Sequence, residues 1–296
     1  MRAGGYILFS LGLGACNSAS VPRVNPAPVQ VVGAEFGNVS LPVPDSGSTA
    51  ALRRFLARHP LTEYVEYLDA PNFPNMAMQG FSGPENRRIE VLFEDLQPVA
   101  GSLNVWTLKG KTRYRENIQP ITGQIVLNRM RRLAPRRPTE PNLETYQVSE
   151  SDGEGLLGAF PPPPGFETVA SYTIRGAFCW AQPRQPGNGY LYGLVDIDLA
   201  QCRNGRYMPQ SVRFTEGAKG GNAKFEGVWT SYATGHTRRV VFVQDVLLYG
   251  TRVFQRFTLG QRMPEFNPQY ARLGWSGYWS GEEWWANPVA ASETKL

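Results

Sequence analysis

The chain reads as an all-β protein, an antiparallel meander arranged as a barrel or sandwich, with a possible internal duplication and one short N-terminal helix. Three observations support this fold class. From Lys224 to Leu259 the segments KFEGVWTSY, RRVVFVQDVLLY and TRVFQRFTL are strand-length, rich in Val, Phe, Trp, Tyr and Thr, and separated by Gly-bearing breaks. Near the front, QGFSGPEN leads into RRIEVLFEDL, so an arginine pair (Arg87-Arg88 early, Arg238-Arg239 late) twice opens an apolar strand after a Gly-containing turn. No long helical period follows His59.

With 296 residues, 42% of them apolar, the chain has room and material for one large core or two modest ones. Its net charge of +5 is a weak bias. The basic residues come as scattered doublets, Arg53-Arg54, Arg87-Arg88, Arg131-Arg132, Arg136-Arg137 and Arg238-Arg239, and form no nucleic-acid footprint. They read as strand ends and solvated faces. The functional alternative is contact with anionic envelope polymers or lipid head groups.

Residues 1–15 carry Arg2 and then a short apolar run, Tyr6 to Leu13, too short to span a bilayer as a mature helix and suited to the core of a signal peptide. The run ends in Leu13-Gly14-Ala15-Cys16, which resembles the lipobox of bacterial lipoprotein precursors. That resemblance implies cleavage before Cys16, diacylation of its thiol and acylation of the new amino group. Acyl chains together, at roughly 0.8 kcal/mol per buried CH2, give a stable palmitate-type anchor. Residues 16–45, with NSASVPRVNPAPVQVVG directly after Cys16, read as a flexible tether. Asn17 stands after the lipid cysteine where an aspartate would retain the protein at the inner membrane, so the class's sorting rule favours the outer membrane of a double-membraned bacterium.

Residues 46–132 are expected to hold the helix and a first β-module. Ser48 is placed to cap a helix running from Thr49 to His59, with Leu52, Phe55 and Leu56 on one face and Pro60 beyond its end. Ile89, Val91 and Phe93, then Ile121, Gly123, Ile125 and Leu127, alternate with polar residues. Residues 133–166 contain PRRPTEPN, SESDGEG and the run Pro161 to Pro164, the composition of a linker or surface strap. Residues 167–287 form the second β-module. Its clearest strand is Tyr190 to Leu199, half of a hairpin with Tyr172 to Ala181 and turning at QPGNG. Residues 288–296 are a tail. The strand Phe225-x-Gly227-x-Trp229 resembles those of uncharacterised β-rich secreted lipoproteins, a likeness that carries no activity with it.

Of three cysteines, Cys16 belongs to the lipobox. Cys179 and Cys202 would sit in an oxidising compartment, where strand parity favours a disulfide and hairpin register opposes it. His59 and His236 are too far apart in the chain for metal-ligand spacing, so no metal, cofactor or Ser/His/Asp arrangement is nominated. Asp196 and Asp198, considered with Glu216 as calcium ligands, read instead as a solvated strand face. The C-terminal stretch GWSGYWSGEEWW gathers Trp275, Tyr278, Trp279, Glu282, Trp284 and Trp285. Aromatic rings beside carboxylates suit a carbohydrate-binding face; equally, they suit a strap that closes the core, each ring burying roughly 150 to 250 Å2. The functional expectation is a lipid-anchored envelope protein that binds a glycan or an envelope protein partner. A glycan-active hydrolase and an inhibitor or immunity-type lipoprotein are the alternatives.

Overall fold

The computed structural model describes residues 28–31, 39–42, 49–65, 77–134, 164–209, 216–250, 268–278 and 283–285. A small ribbon comes first: β1 (Pro28–Val31) pairs antiparallel with β2 (Val39–Pro42). It lies inside the stretch expected to be a structureless tether. Ladder pairing gives these eight residues the backbone partners that an isolated Pro-bearing segment lacks.

The period-two segments then build one antiparallel sheet from β3 (Met78–Ser82), β4 (Arg87–Pro98), β5 (Val105–Tyr114), β6 (Asn117–Arg132), β7 (Thr168–Ala181), β8 (Gly189–Cys202), β9 (Tyr207–Pro209), β10 (Ala223–Ser231) and β11 (Thr237–Val243). Strands β3 to β8 pair in chain order, β8 continues onto β10, β10 onto β11, and β11 returns to β3. Eight strands thereby close a barrel, while β9 extends only the far end of β8. The strands before and after the Pro-rich segment are therefore halves of one barrel, joined along β6–β7 and β3–β11, in place of two β-domains. The two similar hairpins, β3–β4 and β10–β11, are neighbours in the ring, with Val240 opposite Ser82 and Ser82 opposite Arg87.

Alternation decides which side chains enter the lumen. Ile89, Val91 and Phe93 point inward, as do Ile121, Ile125 and Leu127, and Leu191, Val195, Ile197 and Leu199. An eight-stranded barrel is just wide enough for such side chains to fill it or for one small ligand. Here an aromatic layer fills it. Phe225 and Phe242 stack at 4.8 Å, Trp180 stacks on Phe242 at 5.1 Å, and Phe93 and Phe178 meet Phe225 edge-on at 5.4 and 5.2 Å. Glycine makes the room: Gly110 lies opposite Phe93 and Gly123 opposite Trp180, and a Cβ at either would run into the neighbouring strand's backbone.

The helix α1 (Ala50–Leu56) starts one residue later than expected, because Thr49 is the cap, its Oγ1 accepting from the Leu52 amide at 3.3 Å. Its Leu52, Phe55 and Leu56, followed by Leu61, Tyr64 and Val65, join the same core as the lumen. Thr49 ties the helix to β6 through the Asn128 carbonyl, and Phe55 meets Tyr207 of β9 at 5.0 Å. Strand β11 was expected to run to Tyr249 and stops at Val243, since its ladder with β10 ends there at Lys224; Val246–Tyr249 turns as one helical turn. The segment 251–259, the expected last strand, and most of the Pro-rich stretch lie outside the described residues. An apolar lumen beneath a charged outer wall is the reverse of a barrel that faces lipid.

Candidate functional site

The tryptophan-rich C-terminal segment crosses the outside of β11, β3, β4 and β5. Trp275 is fully buried against Phe81 of β3, Val241 and Val243 of β11, and Val246. Its Nε1 donates to the Asn86 carbonyl at 2.7 Å, and the Arg88 amide donates to the Leu273 carbonyl at 3.0 Å. Farther on, Trp284 is buried with Ala77 and Leu92, the Arg113 guanidinium lies 5.4 Å from its ring, and Lys111 donates to the Trp285 carbonyl at 3.0 Å. This corrects the ligand-face expectation for Trp275 and Trp284, whose rings are spent on the barrel wall. Tyr278 and Trp285 are half-buried, and Trp279 and Glu282 lie outside the described residues.

The strap and the wall leave a cleft of about 540 Å3 between them. It is lined by Arg87, Arg88 and Glu90 of β4, Arg113 of β5, Arg115 and Glu116 of the β5–β6 turn, and the strap residues Arg272, Leu273, Gly274, Ser276 and Gly277. Among the described residues five arginines thus face two glutamates. Register explains why they meet: Glu90 stands opposite Gln79 on one side and Arg113 on the other, with Arg88 two residues back on the same outward face. Glu90 Oε1 accepts from Arg88 Nη2 at 2.8 Å and Gln79 Nε2 at 3.2 Å, and Oε2 accepts from Arg113 Nε at 2.5 Å. Both oxygens of this buried carboxylate are therefore committed to holding its neighbours. Arg88 also lies 5.6 Å from the Tyr278 ring and reaches the Gly274 carbonyl at 3.3 Å.

Behind the cleft, at the end of the lumen formed by the 83–86, 115–116, 182–188 and 232–236 turns, lies Arg238. Its guanidinium is sandwiched between Tyr114 and Trp229, at 4.2 and 4.1 Å from the ring centres. Burial works against its charge, and the nearby positive charges of Arg115 and Arg87 act in the same direction, so its pKa is lowered. Its Nε is buried with no hydrogen-bond partner among the described residues. Beside it Gln182 ties the rim together, accepting from the Gly189 amide at 3.1 Å and donating to Thr112 Oγ1 at 3.1 Å.

Across the ring, Asp196 and Asp198 are buried, not solvated as expected. Asp196 accepts from Arg175 Nε at 2.6 Å and Nη2 at 2.9 Å, and Lys224 Nζ lies 3.3 Å away, each cation coming from the register partner on a neighbouring strand. Asp198 lies under the 216–222 turns, its Oδ2 accepting from the Ala218 amide at 2.9 Å. Burial pushes its pKa up to about 7, partly offset by the hydrogen bond from the Ala218 amide. Glu216 pairs instead with Arg131.

The disulfide is not formed. Cys179 and Cys202 are free and buried, because the β7–β8 register sets Cys179 opposite Tyr192 and Cys202 opposite Thr168. The two thiols thus lie near opposite ends of one hairpin, roughly 33 Å apart at about 3.3 Å per residue. Burial pushes the Cys179 thiol up to about 11, which leaves it unreactive. His59 stacks on Phe55 at 4.8 Å, far from the exposed turn that holds His236.

Sequence reasoning missed the cleft. Arg87-Arg88 was noted as a strand opening and as one of several scattered doublets with anionic polymers or lipid head groups as the functional alternative, and Arg113, Arg115 and Arg272 were not singled out. The available signal was TRYREN, where two arginines flank a tyrosine at a two-residue turn. No family model, curated protein or solved structure matches this chain.

Proposed function

We propose that the protein is a lipid-anchored binding module of the cell envelope, held through Cys16 in the outer membrane of a double-membraned bacterium and recognising a glycan or an envelope protein on its outer wall. The observation that carries the proposal is the cleft of about 540 Å3, within the range of small-molecule sites and lined mainly by hydrogen-bond donors. The aromatic layer in the lumen favours an external site over a carrier's internal one. Glu90, engaged on both oxygens, suits the positioning of arginines and not the proton transfer that a glycan hydrolase requires.

Two measurements test the proposal. Cells fed a clickable palmitate should label the wild-type protein, the label should vanish in Cys16→Ala, and an inhibitor of lipoprotein signal peptidase should block processing; an unlabelled wild type would remove the anchor. A glycan array and an envelope pull-down with the acylated protein should return a bound partner without turnover. Release of glycan fragments would replace the binding module with a hydrolase.

A further inference from the structure

The cleft holds more positive charge than the fold uses. Arg88 and Arg113 brace Glu90, whereas Arg87, Arg115 and Arg272 share the same lining and add three further guanidiniums. Arg87 and Arg115 also stand close enough to Arg238 to depress its basicity. Like charges gathered this way repel one another, and an anion entering the cleft would relieve that repulsion. Arginine forks match phosphate oxygens in geometry as well as sign.

The remainder of the lining narrows the ligand. Among the described residues Leu273 is the one apolar side chain in the lining, so this part of the wall gives a nucleobase or acyl chain little to pack against. Gly274 and Gly277 form a wall without side chains, and Ser276 and Glu116 offer donors and acceptors suited to hydroxyl groups. The space also exceeds what a bare phosphate ion needs.

We infer that the cleft binds a phosphorylated saccharide, its phosphate held by Arg87, Arg115 and Arg272 and its hydroxyls by the strap wall and Glu116. This rests on the binding-module proposal and names its ligand class. The sugar phosphate can come from a soluble glycan or a glycolipid head group, since both present the same chemistry.

The test uses the purified full chain on an array of saccharides printed in pairs, one phosphorylated and one treated with phosphatase. Phosphorylated members should bind at least about tenfold tighter than their partners, an advantage that shrinks as salt is raised. The double variant Arg115→Glu/Arg272→Glu, at two exposed positions, should lose that advantage while keeping the wild-type thermal transition. Vesicles displaying a phosphorylated glycolipid, with plain phosphatidylglycerol vesicles as control, separate the two sources. Preference for the glycolipid assigns the head group, and preference for the soluble glycan assigns the free form. Equal binding to plain anionic vesicles, with no phosphate preference on the array, would overturn the inference and give the cleft to the bilayer. Inorganic phosphate competing as well as the sugar phosphates would overturn the saccharide. Neutral glycans bound equally by wild type and double variant would overturn this ligand class while leaving a binding module; an array and pull-down with no partner at all would sink both proposals.

Discussion

Glu90 on β4 and Asp196 on β8 stand four strands apart in a ring of eight, on opposite sides of the barrel, in nearly equivalent settings. Each is a buried outward-facing carboxylate with a cation as register partner on a neighbouring strand, Arg113 for Glu90 and both Arg175 and Lys224 for Asp196. What surrounds them differs. Around Asp196 the next charge outward is Glu226, 3.8 Å from Lys224, so signs alternate along the wall. Around Glu90 the next charges among the described residues are Arg87, Arg115 and Arg272 against the single carboxylate of Glu116, so positive charge is in excess. The first patch is accounted for by the fold alone; the second has charge left over, and a ligand is what would use it.

The comparison can be broken most sharply at Asp196. Asp196→Ala should destabilise the barrel by about 3–5 kcal/mol in urea titrations, because it leaves Lys224 buried without its carboxylate. A loss under about 1 kcal/mol would show that the ladder is not a brace. Asp198, two residues along the same strand, is the buried carboxylate held by a backbone amide without a hydrogen-bonded cation. With a folded pKa of about 7 against an unfolded value near 3.8, it keeps its proton longer in the folded state, so stability is fullest below about pH 4 and falls as pH rises through 7. Asp198→Asn should flatten that slope and raise stability at pH 8 by roughly 2–3 kcal/mol, discounting the full shift. An unchanged slope would assign it elsewhere.

Glu90→Gln should cost about 2 kcal/mol at low salt, and added phosphate should restore part of the loss by supplying the missing negative charge. Asp196→Asn should show no such rescue. Equal rescue of both would erase the distinction between the patches. The smallest effect is expected at Glu226, whose partner Arg239 is mostly exposed. There Glu226→Gln should shift stability by no more than about 0.5 kcal/mol in the same titration.

Period-two alternation made the barrel legible: along Tyr190 to Leu199 the residues Leu191, Val195, Ile197 and Leu199 share one face by parity, and all enter the lumen. Closure was not legible, because pairing of β3 with β11 joins Ser82 to Val240 across most of the chain, and no local pattern encodes it. Asp196 and Asp198 were misjudged because strand parity tells which residues face outward and says nothing of what later covers them. The cleft was missed for the same reason. Its arginines come from β4, the β5–β6 turn and the strap, and only register and the returning tail bring them together. The tryptophans were visible as a cluster, but an aromatic side chain that binds sugar and one that seals a wall are the same residue until its neighbours are known.

Trp275 touches Phe81 on the first strand of the ring and Val241 and Val243 on the last. It therefore lies across the seam where the barrel closes, and it is synthesised after every strand of the ring. As the chain emerges, β3 to β8 can zip as neighbouring hairpins, yet β3 keeps an open edge until β11 appears more than 150 residues later. The clasp arrives later still. A chain ending before Thr237 would thus leave a sheet with two unfastened edges, the form most prone to pair with another copy of itself, and the strap, following β11, covers the seam once the ring has closed.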